Sequence, residues 1–149
     1  TGYPNLTDDH WIWGSEPQQV LTSILNGRRA AMPPFGDALG EDGVTRTAVY
    51  VQQLAGQDVD ETMAAAGRQH YQQVCAACHG PDGKGNPILG APNLTAGVYT
   101  YGGDLDTIRA TIRNGRAGVM PAQKDLIGET RTRLVAAYIL SMQDRFGGE

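Results

Sequence analysis

Cys75-Ala76-Ala77-Cys78-His79 holds both cysteines of this 149-residue chain and sets an imidazole directly beside them. Two thiols three positions apart, followed at once by histidine, suit the covalent attachment of a c-type haem. The sulfurs can add to the two vinyl groups along one edge of the macrocycle, and the imidazole can meet the iron from one face. Other chemistry uses the same letters. A structural zinc site needs about four protein ligands, and the remaining histidines, His10 and His70, are not spaced as a second pair. A thioredoxin-like redox pair wants a βαβ context, and none is visible nearby.

The iron of an electron carrier takes a second axial ligand that is soft and redox-tolerant, typically a Met thioether. The candidate is Met120, in Asn114-Gly115-Arg116-Ala117-Gly118-Val119-Met120-Pro121. Two glycines and a proline make this a non-helical loop. The plainer role for Met120 is filling a gap in a core.

Three phrases carry a resemblance. Cys75-Ala-Ala-Cys-His-Gly-Pro-Asp-Gly-Lys-Gly85, Gly90-Ala-Pro-Asn-Leu-Thr95 and Asn114-Gly-Arg-Ala-Gly-Val-Met-Pro-Ala122 resemble a class I c-type cytochrome. More narrowly, the chain is similar to the dihaem c-type subunit of cbb3-type cytochrome c oxidases, in which two cytochrome c domains follow a membrane anchor. The resemblance implies an all-α fold. It also implies a hydrogen bond from His79 Nδ1 to the Pro92 carbonyl, and a last helix that crosses the Gly67/Tyr71 face of the helix leading to the cysteines.

The composition, 40% hydrophobic and 19% charged, is ordinary for a globular protein. No run approaches the ~20 apolar residues of a membrane helix. The opening Thr1-Gly2-Tyr3-Pro4 carries no signal-peptide pattern. A formal net charge of −4, made more negative by haem propionates, argues against nucleic acid and anionic membrane surfaces as partners. Covalent haem attachment implies assembly outside the cytoplasm. The expected location is the periplasm, or the periplasmic face of the inner membrane if the chain is a fragment of an anchored protein.

The chain also repeats itself at a constant offset of 88 residues, as Met32 and Met120 show. Gly2-Tyr3-Pro4-Asn5-Leu6-Thr7 matches Gly90-Ala91-Pro92-Asn93-Leu94-Thr95. Asn26-Gly27-Arg28 and Met32-Pro33 match Asn114-Gly115-Arg116 and Met120-Pro121, while Ala48 and Tyr50 match Ala136 and Tyr138. The first copy has no C-x-x-C-H. Residues 1–55 therefore read as an incomplete, haem-less half-domain, 56–59 as a linker and 60–149 as a cytochrome c domain with one covalent haem. Truncation of a dihaem chain explains the intact Met32-Pro33 better than ancient loss of haem. In such a half-domain Trp11, Trp13, Ile24, Leu25 and Met32 would face empty space. Such a surface is expected to collapse on itself, pack on the second domain or pair with a second copy, ordering by contact rather than folding independently.

Local signals place the elements. Ser15-x-x-Gln18 resembles a capping box with Pro17 in the first turn, and the helix should end near Asn26-Gly27. A second helix is expected over Thr45–Leu54, and a third from Asp60 and Glu61 to about Cys75. On the third helix His70 should sit at the solvent edge. Asp104 can cap a fourth, and a last helix should cover about Glu129 to Gln143, with Tyr138 meeting Gly67 and Tyr71. Residues 145–149 should fray. Tyr99 and Tyr101 either wall the haem or pack on the surface. The Arg116 fork suits a haem propionate, the alternative being a solvated arginine.

These features point to a monohaem electron carrier rather than an enzyme. In the resembled oxidase its partners would be a soluble cytochrome donor and an oxidase subunit. A haem enzyme or gas sensor would need a labile Met120. An assembly module would use residues 1–55 as a docking surface.

Overall fold

The computed structural model describes residues 3–146, with side chains through Gln143. It is mostly helical, with one short β-ribbon. Helix α1 spans Pro17–Asn26. Its cap is Glu16, one residue on from Ser15: the Glu16 amide donates to Gln19 Oε1 at 3.1 Å. Strand β1 is Arg28–Met32. Helix α2, Gly36–Leu54, starts well before the expected Thr45 and breaks at Gly40 (φ 63°, ψ 172°). Helix α3, Glu61–His70, is capped by Asp60, whose carboxylate accepts the Met63 amide at 2.8 Å. It runs through a wide π turn, Tyr71–Cys75, into a single turn α4, Ala76–His79. Helix α5, Leu105–Asn114, is capped by Asp104 on the Thr107 amide at 2.9 Å. Strand β2 (Arg116–Met120), α6 (Lys124–Ile127) and α7 (Glu129–Phe146) complete the order. Of the stretch expected to fray, residues 147–149 lie outside the described residues.

The two segments expected as Met loops pair with each other. β1 and β2 run antiparallel, with Arg28 opposite Met120, Ala30 opposite Gly118 and Met32 opposite Arg116. Because the strands are 88-residue counterparts, the ribbon is pseudo-symmetric, and so are its flanks. The Phe35 amide donates to the Ile112 carbonyl and the Gln123 amide to the Ile24 carbonyl, both at 2.9 Å. Arg28 Nε bonds Ser23 Oγ at 2.8 Å, as Arg116 Nε bonds its counterpart Thr111 Oγ1 at 3.0 Å. Each repeat thus hands its following helix to the other.

The expectation for the last helix is therefore corrected. Helix α2, not α7, packs on α3 and α5. A Cβ at Gly67 would overlap the Arg46 carbonyl of α2, which is why this helical position holds glycine at a cost of about 1 kcal/mol in propensity. Tyr50 meets Tyr71 edge-on, with centroids 5.2 Å apart and rings at 63°. Its counterpart Tyr138 is 63% exposed. Two physical reasons favour the exchange. The α2–α3 connection is short, so closing it costs little entropy. In addition, α2 buries Val44 and Val49 where α7 carries Thr132 and Ala137, and each buried methylene contributes about 0.8 kcal/mol.

Two cores result. Val44, Ala48 and Val51 of α2 pack with Ile108 and Ile112 of α5. Val20 and Ile24 of α1 pack with Ala136 of α7, flanked by Trp11. Four of the side chains expected to face a void are covered: Trp11 and Ile24 lie in the second core, Met32 lies against the first, and Trp13 lies beneath the Arg28 guanidinium and against Gly90. His70 is half-buried beside Gly43 of α2. Glu41 of α2 pairs with Arg113 and Arg109 of α5 across the surface.

Candidate haem-attachment site

Helix α3 delivers Tyr71, Cys75, Cys78 and His79 through the π turn, whose extra residue per turn re-aims the side chains that follow. Tyr71 is fully buried and its hydroxyl donates to the Gly80 carbonyl at 2.8 Å, closing the motif turn. Cys75 is buried in a small cluster with Tyr50 and Tyr71, and Cys78 is exposed. Burial, reinforced by the neighbouring Cys78, pushes the Cys75 thiol up to about 11, so the buried sulfur is held as a protonated thiol.

His79 is nearly buried, and its Nδ1 lies 3.1 Å from the Pro92 carbonyl. A carbonyl only accepts, so Nδ1 carries the proton and the Nε2 lone pair is left for a metal. Burial lowers the His79 pKa, against the opposing effect of the Pro92 bond; the imidazole is neutral at physiological pH, the form that ligates. The loop that presents Pro92 is tightly specified. The Gly85 amide donates to the His79 carbonyl at 2.8 Å, Asn86 and Ala91 bridge, and the Leu94 amide donates to the Gly83 carbonyl at 2.7 Å. A Cβ at Gly85 (φ +84°) would sit 2.6 Å from the Ala91 oxygen and 2.7 Å from the Pro92 carbon. Only glycine lets that carbonyl reach His79. A thiol pair, a fixed imidazole with its outer nitrogen free and an apolar wall fit a covalently held haem. Among the described residues, no group of three or more His, Cys, Asp or Glu side chains could hold a bare metal ion.

Comparison with known proteins decides the family. Residues 62–139 match the model described as cytochrome C oxidase, cbb3-type, subunit III. The chain belongs to that family. It is 40% identical over 95% of its length to the cbb3-type cytochrome c oxidase subunit FixP of Bradyrhizobium sp. (strain ORS 278), covering 52% of that protein. It is 39% identical over 93% of its length to the subunit CcoP of Cereibacter sphaeroides, covering 51% of that protein. The chain thus spans about half the length of the curated relatives it matches. Membership implies covalent haem c, and the mostly helical fold agrees with the class I cytochrome c expectation.

The cbb3-subunit motif residues Cys75, Cys78, His79 and Pro92 come together. Tyr99 is half-buried against the first core, with its hydroxyl 3.5 Å from the Leu94 carbonyl. Tyr101 is 41% exposed beneath the Arg116 guanidinium, 4.3 Å from its ring centroid. The fork of Arg116 is already engaged, Nε and Nη2 donating to Thr111 Oγ1. Met120 stands apart: it is 41% exposed and lies with Asn26, Gly27 and Arg28 at the end of the ribbon nearest α1. Two residues that support the site were named from the sequence without this role. Gly85 read only as part of a turn, because a close backbone approach leaves no compositional mark. Tyr50, which meets Tyr71, was signalled by the repeat, which showed that it has a counterpart without showing which of the two would be used.

Proposed function

We propose that this chain is an electron carrier holding one haem c through thioethers to Cys75 and Cys78, with His79 Nε2 as an axial ligand. The observation that carries this reading is the His79–Pro92 hydrogen bond, in a cbb3-subunit chain whose only cysteines immediately precede that histidine. The haem, when bound, supplies an iron that changes oxidation state by one electron. The protein holds the imidazole neutral and fixed in its plane. The core of Val44, Ala48, Ile108 and Ile112 adjoins the Cys75 cluster through Leu94, and apolar surroundings of this kind would raise the potential of a haem iron held there. Arg116 Nη1 is the donor left for a propionate, with Tyr101 stacked beneath it. The division into a haem-less segment 1–55 and a haem domain from residue 60 belongs to this reading, with the refinement that α2 crosses the boundary.

The relatives' names place them in a cbb3-type cytochrome c oxidase, so the proposed role is passing electrons within or towards such an oxidase. A soluble cytochrome would be the donor and another oxidase subunit the acceptor. The location would be the periplasm or the outer face of the inner membrane. Among the described residues no helix is long and apolar enough to cross a membrane.

The test is haem stoichiometry on the chain produced with a haem-ligation system. The expected result is one haem per chain that survives denaturant, loss of covalent haem in the Cys75→Ser/Cys78→Ser double variant, and a reversible one-electron titration. No denaturant-resistant haem, or two per chain, overturns the proposal.

A further inference from the structure

We propose that Met32, not Met120, is the thioether ligand opposite His79 in this chain. The inference rests on the haem reading above and concerns which of two repeat-related methionines completes the same site. Four observations converge on it. The helix that follows Met32 is α2, and α2 is the helix that crosses α3 at Gly67 and sets Tyr50 against Tyr71. The helix that follows Met120 packs on α1 instead. A methionine loop and the helix behind it are contiguous chain, so the loop travels with its helix.

Met32 is half-buried against the Val44, Ala48, Val51, Ile108 and Ile112 cluster. That cluster also receives Leu94, which touches the Cys75 cluster as well and lies two residues beyond the Pro92 that orients His79. Met120 touches neither cluster and is 41% exposed. The ribbon register settles the spacing. Met32 is opposite Arg116, at the end of α5, while Met120 is opposite Arg28, at the end of α1. Four residue steps at about 3.4 Å each put the two ends of the ribbon about 14 Å apart. One iron cannot be served from both ends. Phe35, three residues after Met32, is pinned to the Ile112 carbonyl at 2.9 Å, which fixes the Met32-Pro33 segment against the haem unit.

The experiment compares Met32→Leu with Met120→Leu in the full chain carrying covalent haem. Leucine keeps the volume of methionine while removing the sulfur, so both variants fold. Two signatures of an iron-bound thioether are read: the weak red charge-transfer band of the ferric state, and the strongly shifted Met methyl resonance of the ferrous state. Met32→Leu is expected to abolish both and lower the reduction potential; Met120→Leu is expected to leave all three unchanged. Loss of the band in Met120→Leu, or its retention in Met32→Leu, overturns the proposal. Failure of the haem reading looks different, because the unsubstituted chain would then hold no denaturant-resistant haem.

Discussion

Gly67 is the residue on which the helix crossing turns. Alanine at a helical position ordinarily gains about 1 kcal/mol over glycine. Here the added methyl meets the Arg46 carbonyl, a backbone group of the neighbouring helix that cannot swing aside as a side chain would. Overpacking against a fixed neighbour costs about 1–3 kcal/mol, and the overlap at Gly67 places it at the upper end. Gly67→Ala should therefore destabilise the chain by about 2 kcal/mol net, read as a lower denaturation midpoint with an unchanged slope; a more stable variant would show that α2 does not lie where described. At this scale the sequence was most informative where chemistry is local. The cysteine pair, His79 and the Pro92 acceptor all sit within one short stretch and a family phrase. Gly67 was readable as a close-crossing point, but not what crosses it, because a glycine records that something approaches and not from where.

Helices α2 and α7 are copies of one element, and the fold distinguishes them by what they bury. Tyr50 is 7% exposed and stacks edge-on with Tyr71, whereas Tyr138 is 63% exposed. Truncating a buried aromatic costs about 3–5 kcal/mol, while a surface change away from special features stays within about 0.5 kcal/mol. Tyr50→Ala should therefore lower stability by about 3 kcal/mol and Tyr138→Ala hardly at all, measured by chemical denaturation of the two variants side by side. Equal losses would mean that both helices visit the α3 face. Element starts and stops were legible where a cap or a glycine marks them: Asp60, Asp104 and Gly27 act locally. The pairing was not, because the repeat makes Ala48/Tyr50 and Ala136/Tyr138 equally good candidates for the same groove. What separates them is the buried Val44 and Val49 against Thr132 and Ala137, and a short connection to α3. Both are small differences that decide only when the two helices compete. The ribbon was missed for a related reason, since Arg28–Met32 and Arg116–Met120 read singly as loops and become strands only against each other.

Across the whole molecule the exchange divides the apolar surface unevenly. The unit of α2, α3 and α5 buries Val44, Ala48, Val51, Ile108 and Ile112, and the Tyr50–Tyr71–Cys75 cluster adjoins it through Leu94. The unit of α1 and α7 buries Val20, Ile24 and Ala136, with Leu134, Val135 and Tyr138 left exposed on the outer face of α7. Stability within a structure follows buried contact, and segments with few buried contacts open at lower free energy than the global transition. The two units are joined by the five-residue ribbon, which lets the smaller one open without tearing the larger. Amide hydrogen exchange on the chain should therefore rank α3, α5 and the second half of α2 as the slowest segments, with α1 and α7 exchanging faster by local opening. Because the difference arises from the exchanged packing, it has a direction that a non-exchanged fold reverses: with α7 seated on α3, α7 would join the slow set and α2 would leave it. Protection on α7 exceeding that on α2 would thus overturn the exchanged topology as a whole, and with it the reason for assigning the iron to Met32.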